Sequence, residues 1–212
     1  MPQNTAEHLK SKFIEWLLQG NLGFHLSNEV IGVEVSFSPN KRKADLVIIG
    51  EDLHAFEIKG DNDNLRKLKS QISDYNKTFD RVSVVTSACH LAQVKRTVSR
   101  YTGLILVKGG DFEVLRNAKL RRRLNKQSLI MFLPKADAAS LLGLSDLDDY
   151  STDQVRFLAQ SKLPLCKIRR ASLSLLRDRY GKLFSLFLAD RGEIIHIDDL
   201  LSLTGRVKDL IS

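Results

Sequence analysis

The sequence predicts an α/β protein, in which a mixed sheet flanked by helices is followed by a mainly helical C-terminal region. Two observations predict this class. Short apolar or alternating segments, such as RVSVVTS at residues 81–87, are typical of strands and are confined to residues 1–118, where segments of helical apolar spacing separate them. Residues 119–212 show helical spacing almost throughout. We therefore expect a core at 1–118 and a smaller helical domain, or a helical layer on the core, at 119–212.

Eight elements are predicted in the core, in the order α-β-β-β-α-β-α-β. The first helix has Leu9, Phe13 and Leu17 on one stripe, with Asn4 as a candidate cap and Gly20 as its end. Residues 50–52 form a tight hairpin connection between the second and third strands. The predicted strands are 33–37, 44–49, 53–59, 81–87 and 102–107, and the predicted helices are 4–20, 64–79 and 88–100. The pair Gly109-Gly110 then ends the pattern.

Five helical segments are predicted after residue 118, at 127–132, 137–142, 152–159, 168–189 and 197–211. Pro134, Pro164 and Gly181 interrupt this part of the chain. The amphipathic stretch 171–188 (ASLSLLRDRYGKLFSLFL) either packs its leucines into the core or presents them to a protein partner.

The net charge of +8 favours an anionic partner such as DNA. The excess is uneven along the chain. Residues 1–118 hold 16 Lys and Arg against 14 Asp and Glu, whereas residues 119–212 hold 17 against 11. The run KLRRR at 119–123 opens the basic half, and it is either a surface that contacts phosphates or a solvated helix face.

Other features exclude several classes of protein. No apolar run approaches the roughly 20 residues that cross a bilayer, and the N-terminus lacks a signal-peptide pattern. Cys89 and Cys166 lie too far apart to indicate a disulfide framework or a zinc site. We expect a cytoplasmic protein with no membrane partner.

Two charged residues, Glu57 and Lys59, interrupt the apolar strand at 53–59 (LHAFEIK). Side chains two apart on a strand share a face, so these two lie side by side. A hairpin centred on Glu51 also places Asp45 opposite Glu57, with Cβ atoms about 5 Å apart, where two like charges destabilise a sheet. The remaining pairs of this register are Ile49 with Leu53, Ile48 with His54, Val47 with Ala55 and Leu46 with Phe56.

A cation between the two carboxylates would remove that repulsion. Mg²⁺ suits the position, because it takes hard oxygen ligands and often uses only one or two carboxylates with water and phosphate. Lys59 would then orient or deprotonate a metal-bound water, or neutralise charge on a phosphate. This set predicts phosphodiester hydrolysis. The alternative is a solvated ion pair between Glu57 and Lys59 on a surface strand.

These residues match a known pattern. Asp45, an interval of eleven residues and then Glu57-Ile58-Lys59 resemble the PD-(D/E)XK nuclease superfamily, and the predicted element order is similar to its restriction-endonuclease-like core. Residues 71–75 (QISDY) resemble the Q-x-x-x-Y motif of RecB-like members. Residues 30–90 are similar to small bacterial nuclease-like proteins that also carry a helical, basic C-terminal region, although a serine is common there where this chain has Gly60.

The resemblance implies roles for particular residues. Asp45, Glu57 and Lys59 would be catalytic, and Gln71 and Tyr75, one helical turn apart, would reach toward the site, although Tyr75 is equally ordinary as a core residue. The ligands implied for Mg²⁺ or Mn²⁺ are the carboxylates of Glu34, Asp45 and Glu57 and the main-chain carbonyl of Ile58. Glu15 and Glu29 are alternatives to Glu34.

The expected function is a metal-dependent deoxyribonuclease whose basic residues contact phosphates without reading sequence. The candidate DNA contacts are Lys41, Arg42, Lys43, Arg66, Lys67, Lys69, Arg121, Arg122 and Arg123. Two alternatives use the same fold. One is a non-catalytic protein that binds nucleic acid or a protein partner, and the other is a regulatory module whose helical half binds protein.

Overall fold

The computed structural model describes residues 5–37, 42–121 and 123–204. A six-stranded mixed sheet, with its strands in chain order, is flanked by helices, and this confirms the predicted α/β class and the helical C-terminal region. The strands are β1 Val30–Phe37, β2 Arg42–Ile49, β3 Leu53–Lys59, β4 Arg81–Ser87, β5 Gly103–Lys108 and β6 Asp111–Arg116. The helices are α1 Ala6–Leu18, α2 Leu68–Thr78, α3 Leu91–Thr97, α4 Lys126–Ile130, α5 Lys135–Leu142, α6 Thr152–Lys162 and α7 Leu165–Asp190. None of the described helices is long and apolar enough to cross a membrane.

The pairing of the strands explains where the helices lie. Strands β1, β2 and β3 pair antiparallel, whereas β3, β4 and β5 pair parallel and are joined through α2 and α3. Right-handed crossovers place both of these helices on one face of the sheet, where Tyr75 of α2 and Val94 of α3 belong to one apolar cluster. The opposite face carries α1 and the end of α7, with Phe13 and Phe184 in its cluster.

The predicted register of the β2–β3 hairpin is confirmed. Its four recorded pairs are Leu46 with Phe56, Val47 with Ala55, Ile48 with His54 and Ile49 with Leu53. The three-residue connection at 50–52 explains this success, because the length of the turn fixes the register of a hairpin.

The prediction missed one strand. Gly109 and Gly110 do not end the sheet but turn the chain into β6, which pairs antiparallel with β5. Both glycines have positive φ, 61° and 90°, a conformation that glycine adopts without steric cost. Two further differences concern element ends: β1 begins at Val30 rather than at residue 33, and a 3₁₀ turn, Leu65–Lys67, precedes α2.

The helices α4, α5 and α6 share an apolar cluster of their own, which includes Leu129, Ala139 and Val155. Helix α7 has 26 residues, about 39 Å of length, and its side chains enter this cluster and both clusters of the sheet. The predicted helix at 197–211 is instead a 3₁₀ segment, Asp198–Leu203, within the described residues, and positions 205–211 lie outside them. Spacing by three suits a 3₁₀ segment because it buries Leu200 and Leu203 together.

An arginine fastens α7 to one end of the sheet. Arg169 donates hydrogen bonds to both carboxylate oxygens of Asp80, at 3.0 and 3.1 Å, and to Asp52 at 3.1 Å. Asp80 is 4% exposed and also accepts a hydrogen bond from the backbone N–H of Leu53. The hydrogen bond to Asp80 raises the pKa of Arg169, so this buried carboxylate keeps its counter-charge.

Candidate functional site

Three carboxylates occupy matching positions on three neighbouring strands. Glu34 on β1 lies opposite Asp45 on β2, between the flanking pairs Val33 with Leu46 and Val35 with Ala44. Asp45 in turn lies beside Glu57 on β3, in continuation of the hairpin register. Charge in this arrangement is costly unless it is paired, so the partners of each carboxylate decide what the site can do.

Glu57 is almost completely buried, with 2% of its surface exposed. Its Oε1 lies 2.7 Å from Nζ of Lys59 and accepts a hydrogen bond of 2.5 Å from Nε2 of Gln71. Its Oε2 accepts a hydrogen bond of 2.6 Å from the hydroxyl of Tyr75. Burial and then the charge of Glu57 raise the pKa of the Tyr75 phenol, which therefore stays protonated and remains a donor.

Asp45 is held beside Glu57 by the backbone. Its Oδ2 accepts a hydrogen bond of 2.7 Å from the N–H of Ile58, and its Oδ1 lies 3.5 Å from Nζ of Lys10. Burial, followed by the negative charge of Glu57, raises the pKa of Asp45 to about 7. The charge of Glu57 therefore opposes the ionisation of Asp45 when no divalent cation is bound.

Glu34 has an unusual backbone. Its φ is 51°, in the left-handed region that few residues other than glycine adopt. The neighbouring residue Val33 packs in the cluster with α1, whereas Val35 packs in the cluster with α2, so β1 changes its buried face at Glu34. Strain of this kind costs on the order of 1–3 kcal/mol and is concentrated at functional sites.

Lys10 completes the group, and the prediction from sequence did not include it. Its ammonium pairs with Oε1 of Glu34 as well as lying near Asp45, and its side chain is 9% exposed. Burial by itself lowers the pKa of Lys10, but the charges of Asp45 and Glu34 more than offset this, so the pKa is raised. The available signal was the position of Lys10 on the buried stripe of α1, three residues before Phe13 and seven before Leu17.

The donor chemistry of the site suits a hard cation, although its carboxylates are arranged as ion pairs with lysines. Among the described residues, no group of three Asp, Glu, His or Cys side chains is arranged to hold a metal ion. Lys10 and Lys59 instead neutralise the carboxylates. Yet Oε1 of Gln71 is buried and has no hydrogen-bond partner among the described residues, which leaves an oxygen ready for a cation or water.

Both alternatives to Glu34 lie elsewhere. Glu15 pairs with Lys12 and accepts a hydrogen bond from the N–H of Ile195. Glu29 precedes β1 and accepts a hydrogen bond from the N–H of His25, at the end of the sheet near the β2–β3 turn. Of the three glutamates considered, Glu34 is the one that the fold brings to Asp45.

His54 lies away from the carboxylates, beside Ser83 of β4. Burial, with a smaller contribution from Arg81, lowers its pKa to about 3, and its Nε2 lies 2.8 Å from the hydroxyl of Ser83. It borders a half-open groove of about 1260 Å³ at the end of the sheet that carries the β2–β3 turn. This groove includes neither Asp45 nor Glu57, so it is separate from the acidic site.

The candidate DNA contacts divide into two groups. Near the acidic site, Lys43 lies 3.8 Å from Glu34, while Arg42 is bound to Asp74 at 2.7 Å and is less available for phosphates. Three exposed cations stand at the start of α2, next to Gln71, namely Arg66, Lys67 and Lys69. Lys41 and Arg122 lie outside the described residues.

The second group lies at the opposite end of the parallel strands. The N–H of Arg121 donates to the carbonyl of Asp80, just before β4 begins, and Arg123 is exposed nearby in sequence. The exposed ring of Tyr101 is surrounded by Arg100, Lys119 and Arg121, with 5.3, 5.5 and 5.9 Å from their charged atoms to the ring centre. We call Arg100, Tyr101, Lys119 and Arg121 the Tyr101 surface.

Comparison with known proteins identifies the family. The family described as bacteriophage P4 protein cII matches residues 2–204. The chain belongs to this family. Protein cII of Enterobacteria phage P4 is 30% identical over 207 residues, which cover 93% of this chain and 77% of that protein. Among solved structures, a protein of unknown function from Silicibacter pomeroyi is similar at a TM-score of 0.37 and 15% identity, over 80% of this chain and 90% of that one.

Proposed function

We propose that this member of the cII family is a metal-dependent nuclease that hydrolyses phosphodiester bonds in DNA. One observation carries the proposal: Glu34, Asp45 and Glu57 occupy matching positions on three adjacent strands, and the ammonium of Lys59 lies 2.7 Å from Glu57. The pattern of these residues is the one that resembles the PD-(D/E)XK nucleases. The raised pKa of Asp45 adds support, because it marks a site where a divalent cation would relieve repulsion.

The acidic residues and Lys59 would have different roles in the proposed reaction. Glu34, Asp45, Glu57 and the carbonyl of Ile58 would hold Mg²⁺ or Mn²⁺, which supplies a Lewis acid and an activated water at neutral pH. Lys59 orients the attacking water and neutralises charge that develops on the phosphate. Its 2.7 Å contact with Oε1 of Glu57 keeps the ammonium on the acidic face of β3.

Gln71 and Tyr75 act on Glu57 rather than on the substrate. They lie one turn apart on α2, and each donates a hydrogen bond to a different oxygen of Glu57. Two donors fix the plane of a carboxylate, which is what a precise ligand geometry requires. The Q-x-x-x-Y spacing therefore has a physical reason here, and Tyr75 serves both the core and the site.

DNA would contact both basic groups. Glu57 is level with Val84 in the sheet. Asp80, whose carbonyl accepts a hydrogen bond from the N–H of Arg121, comes four residues before Val84, just ahead of β4. That separation is about 13 Å along the strand, or roughly four nucleotides along one strand of a duplex. A DNA strand that runs from the acidic site along the sheet would reach the end that carries the Tyr101 surface, whose exposed ring offers a face for a base.

A second candidate is a non-catalytic protein that binds nucleic acid or a protein partner on this fold. The observation in its favour is that Lys10 and Lys59 already neutralise the carboxylates, as in a structural ion-pair network. Exposed Phe157 on α6, at 68%, is a candidate anchor for a protein partner of the helical region. In either case we propose a cytoplasmic protein, consistent with two exposed free cysteines.

The deciding experiment offers linear, nicked, circular and single-stranded DNA, and RNA, with Mg²⁺, with Mn²⁺ or with a chelator. Wild-type protein is expected to cleave at least one DNA form only with metal, and Lys59→Met and Glu57→Gln to bind DNA without cleaving it. Lys162→Met, at an exposed position on α6 outside both groups of candidate DNA contacts, is the control for loss of one positive charge. Binding without cleavage under every condition would support the second candidate and refute the nuclease.

A further inference from the structure

We infer that Lys10 is an internal counter-cation of the acidic site, which a divalent metal ion must displace from Glu34 and Asp45 in order to bind. This inference rests on the proposed function, since it assumes that the site takes a divalent cation. It assigns a role to a residue outside the pattern of carboxylates and Lys59. Lys10 is a positioning residue, because it acts on the carboxylates and not on the substrate.

The ammonium of Lys10 contacts two of the carboxylates that would hold the metal. It forms an ion pair with Oε1 of Glu34 and lies 3.5 Å from Oδ1 of Asp45. These two residues stand opposite each other on β1 and β2. The remaining oxygen of Asp45, Oδ2, is held by the N–H of Ile58. The side of Asp45 that faces Glu34 is therefore the side that Lys10 covers.

The helix fixes the base of the lysine but not its end. Leu9, Phe13 and Leu17 bury α1 against the sheet, so the Cα of Lys10 cannot move away from the site without unpacking the helix. The side chain, by contrast, is a flexible chain of four methylene groups that ends in a strongly hydrated ammonium. The ammonium can swing out to water while α1 stays in place.

Charge explains why the lysine is needed when no metal is bound. Glu34, Asp45 and Glu57 are three acidic groups in one region. Lys59 pairs directly with Glu57, and its charge affects the pKa of Asp45 less than the charge of Lys10 does. Lys43 approaches Glu34 at 3.8 Å but is itself 31% exposed, so water screens its charge. Without Lys10, Glu34 would keep only the partly exposed Lys43 within ion-pair distance among the described residues, and Asp45 only the weaker effect of Lys59.

Lys10 and the metal ion would therefore compete for the same two carboxylates. A metal ion that binds between Glu34 and Asp45 must first break the contacts of Lys10, so the affinity of the wild-type site is lower than its ligands alone would give. Removal of the lysine charge should make metal binding tighter, even though it makes the metal-free protein less stable. A purely structural lysine would have the second effect without the first.

The test measures Mn²⁺ affinity by titration calorimetry and by the paramagnetic signal of free Mn²⁺, in the absence of DNA. For Lys10→Met we expect affinity at least about tenfold above wild type, the effect of removing one close charge at an intermediate effective dielectric constant. We also expect a lower melting temperature in chelator and a larger rise on adding Mn²⁺. Lys10→Gln provides a second neutral variant, and Lys10→Arg should keep the weak affinity of wild type.

The matched control is Lys12→Met, which removes a lysine from the same helix that pairs with Glu15 and not with the site. It should leave the Mn²⁺ affinity unchanged. Suppose that the wild type cleaves DNA but both neutral Lys10 variants bind Mn²⁺ no more tightly than the wild type. That result would refute the counter-cation role of Lys10 and leave the proposed nuclease activity unaffected. Absence of Mn²⁺ binding and of cleavage in every variant would overturn both.

Discussion

Replacement of Asp45 by Asn should change how the stability of the metal-free protein depends on pH. The carboxyl of Asp45 has a pKa of about 7 in the folded protein, against 3.8 as its ordinary value. The folded state therefore binds this proton more tightly than the unfolded state. The stabilisation is fully present below pH 4 and is lost as the pH rises through 7. Asn keeps the side-chain oxygen for the N–H of Ile58 but cannot titrate.

The size of the effect follows from the shift. A difference of about three pKa units corresponds to roughly 4 kcal/mol at 1.36 kcal/mol per unit. The Asp45 side chain is 22% exposed, and solvent screening reduces this figure, so we expect about 2–3 kcal/mol. Between pH 4.5 and 8.5, wild type in chelator should lose that much unfolding free energy relative to Asp45→Asn. Above pH 8 the variant should be the more stable protein.

Urea unfolding followed by circular dichroism, at five or six pH values with chelator present, measures this difference. Subtraction of the two proteins cancels the titration of groups that Asp45 does not contact. Asp137→Asn, at an exposed position on α5, controls for the loss of one negative charge. A difference between wild type and Asp45→Asn that stays constant across the pH range would refute the assignment of opposed carboxyl groups.

Three further predictions concern other parts of the molecule. Glu57→Gln should abolish metal-dependent cleavage and keep the far-UV circular dichroism of wild type, so a loss of secondary structure would indicate a structural role instead. Arg169→Met should lower the unfolding free energy by about 3 kcal/mol in urea titration, because Asp80 is left buried without its partner; a change below 1 kcal/mol (roughly) would contradict this. Tyr101→Ala with Arg121→Glu should weaken DNA binding for all sequences and lower the slope of log K against log salt by at least about 0.7–0.9, the effect of one lost phosphate contact; an unchanged slope in a folded protein would exclude the Tyr101 surface as a DNA contact.

The hairpin was predictable because its information is local. A period of two along each strand and a three-residue connection determine the register, and the register brings Asp45 beside Glu57 without knowledge of the rest of the fold. The position of Gln71 on α2 followed from helical spacing in the same way. Strand β6 was missed because it is short and half exposed, with weak alternation after a glycine pair.

The parts that sequence did not reveal depend on tertiary packing. Lys10 reaches the carboxylates only because α1 packs across the sheet, and no local pattern states which strand a helix will cover. The positive φ of Glu34 arises where β1 changes its buried face, although the alternation of VEVSF predicts one face throughout. The Tyr101 surface joins residues from two loops that meet at the N-terminal ends of β4 and β5.

The energetic costs at the acidic site help to choose between a metal-binding catalytic site and a structural network of ion pairs. A network of ion pairs that served only stability would satisfy its members and leave the backbone relaxed. Here Glu34 has a strained φ, Asp45 has a pKa raised by burial and by Glu57, and Oε1 of Gln71 is buried without a partner among the described residues. All three costs fall on Asp45 itself or on residues beside Asp45 and Glu57. A divalent cation with its water would relieve the repulsion at Asp45 and offer a partner to Gln71, and this common remedy favours the nuclease over the non-catalytic alternative.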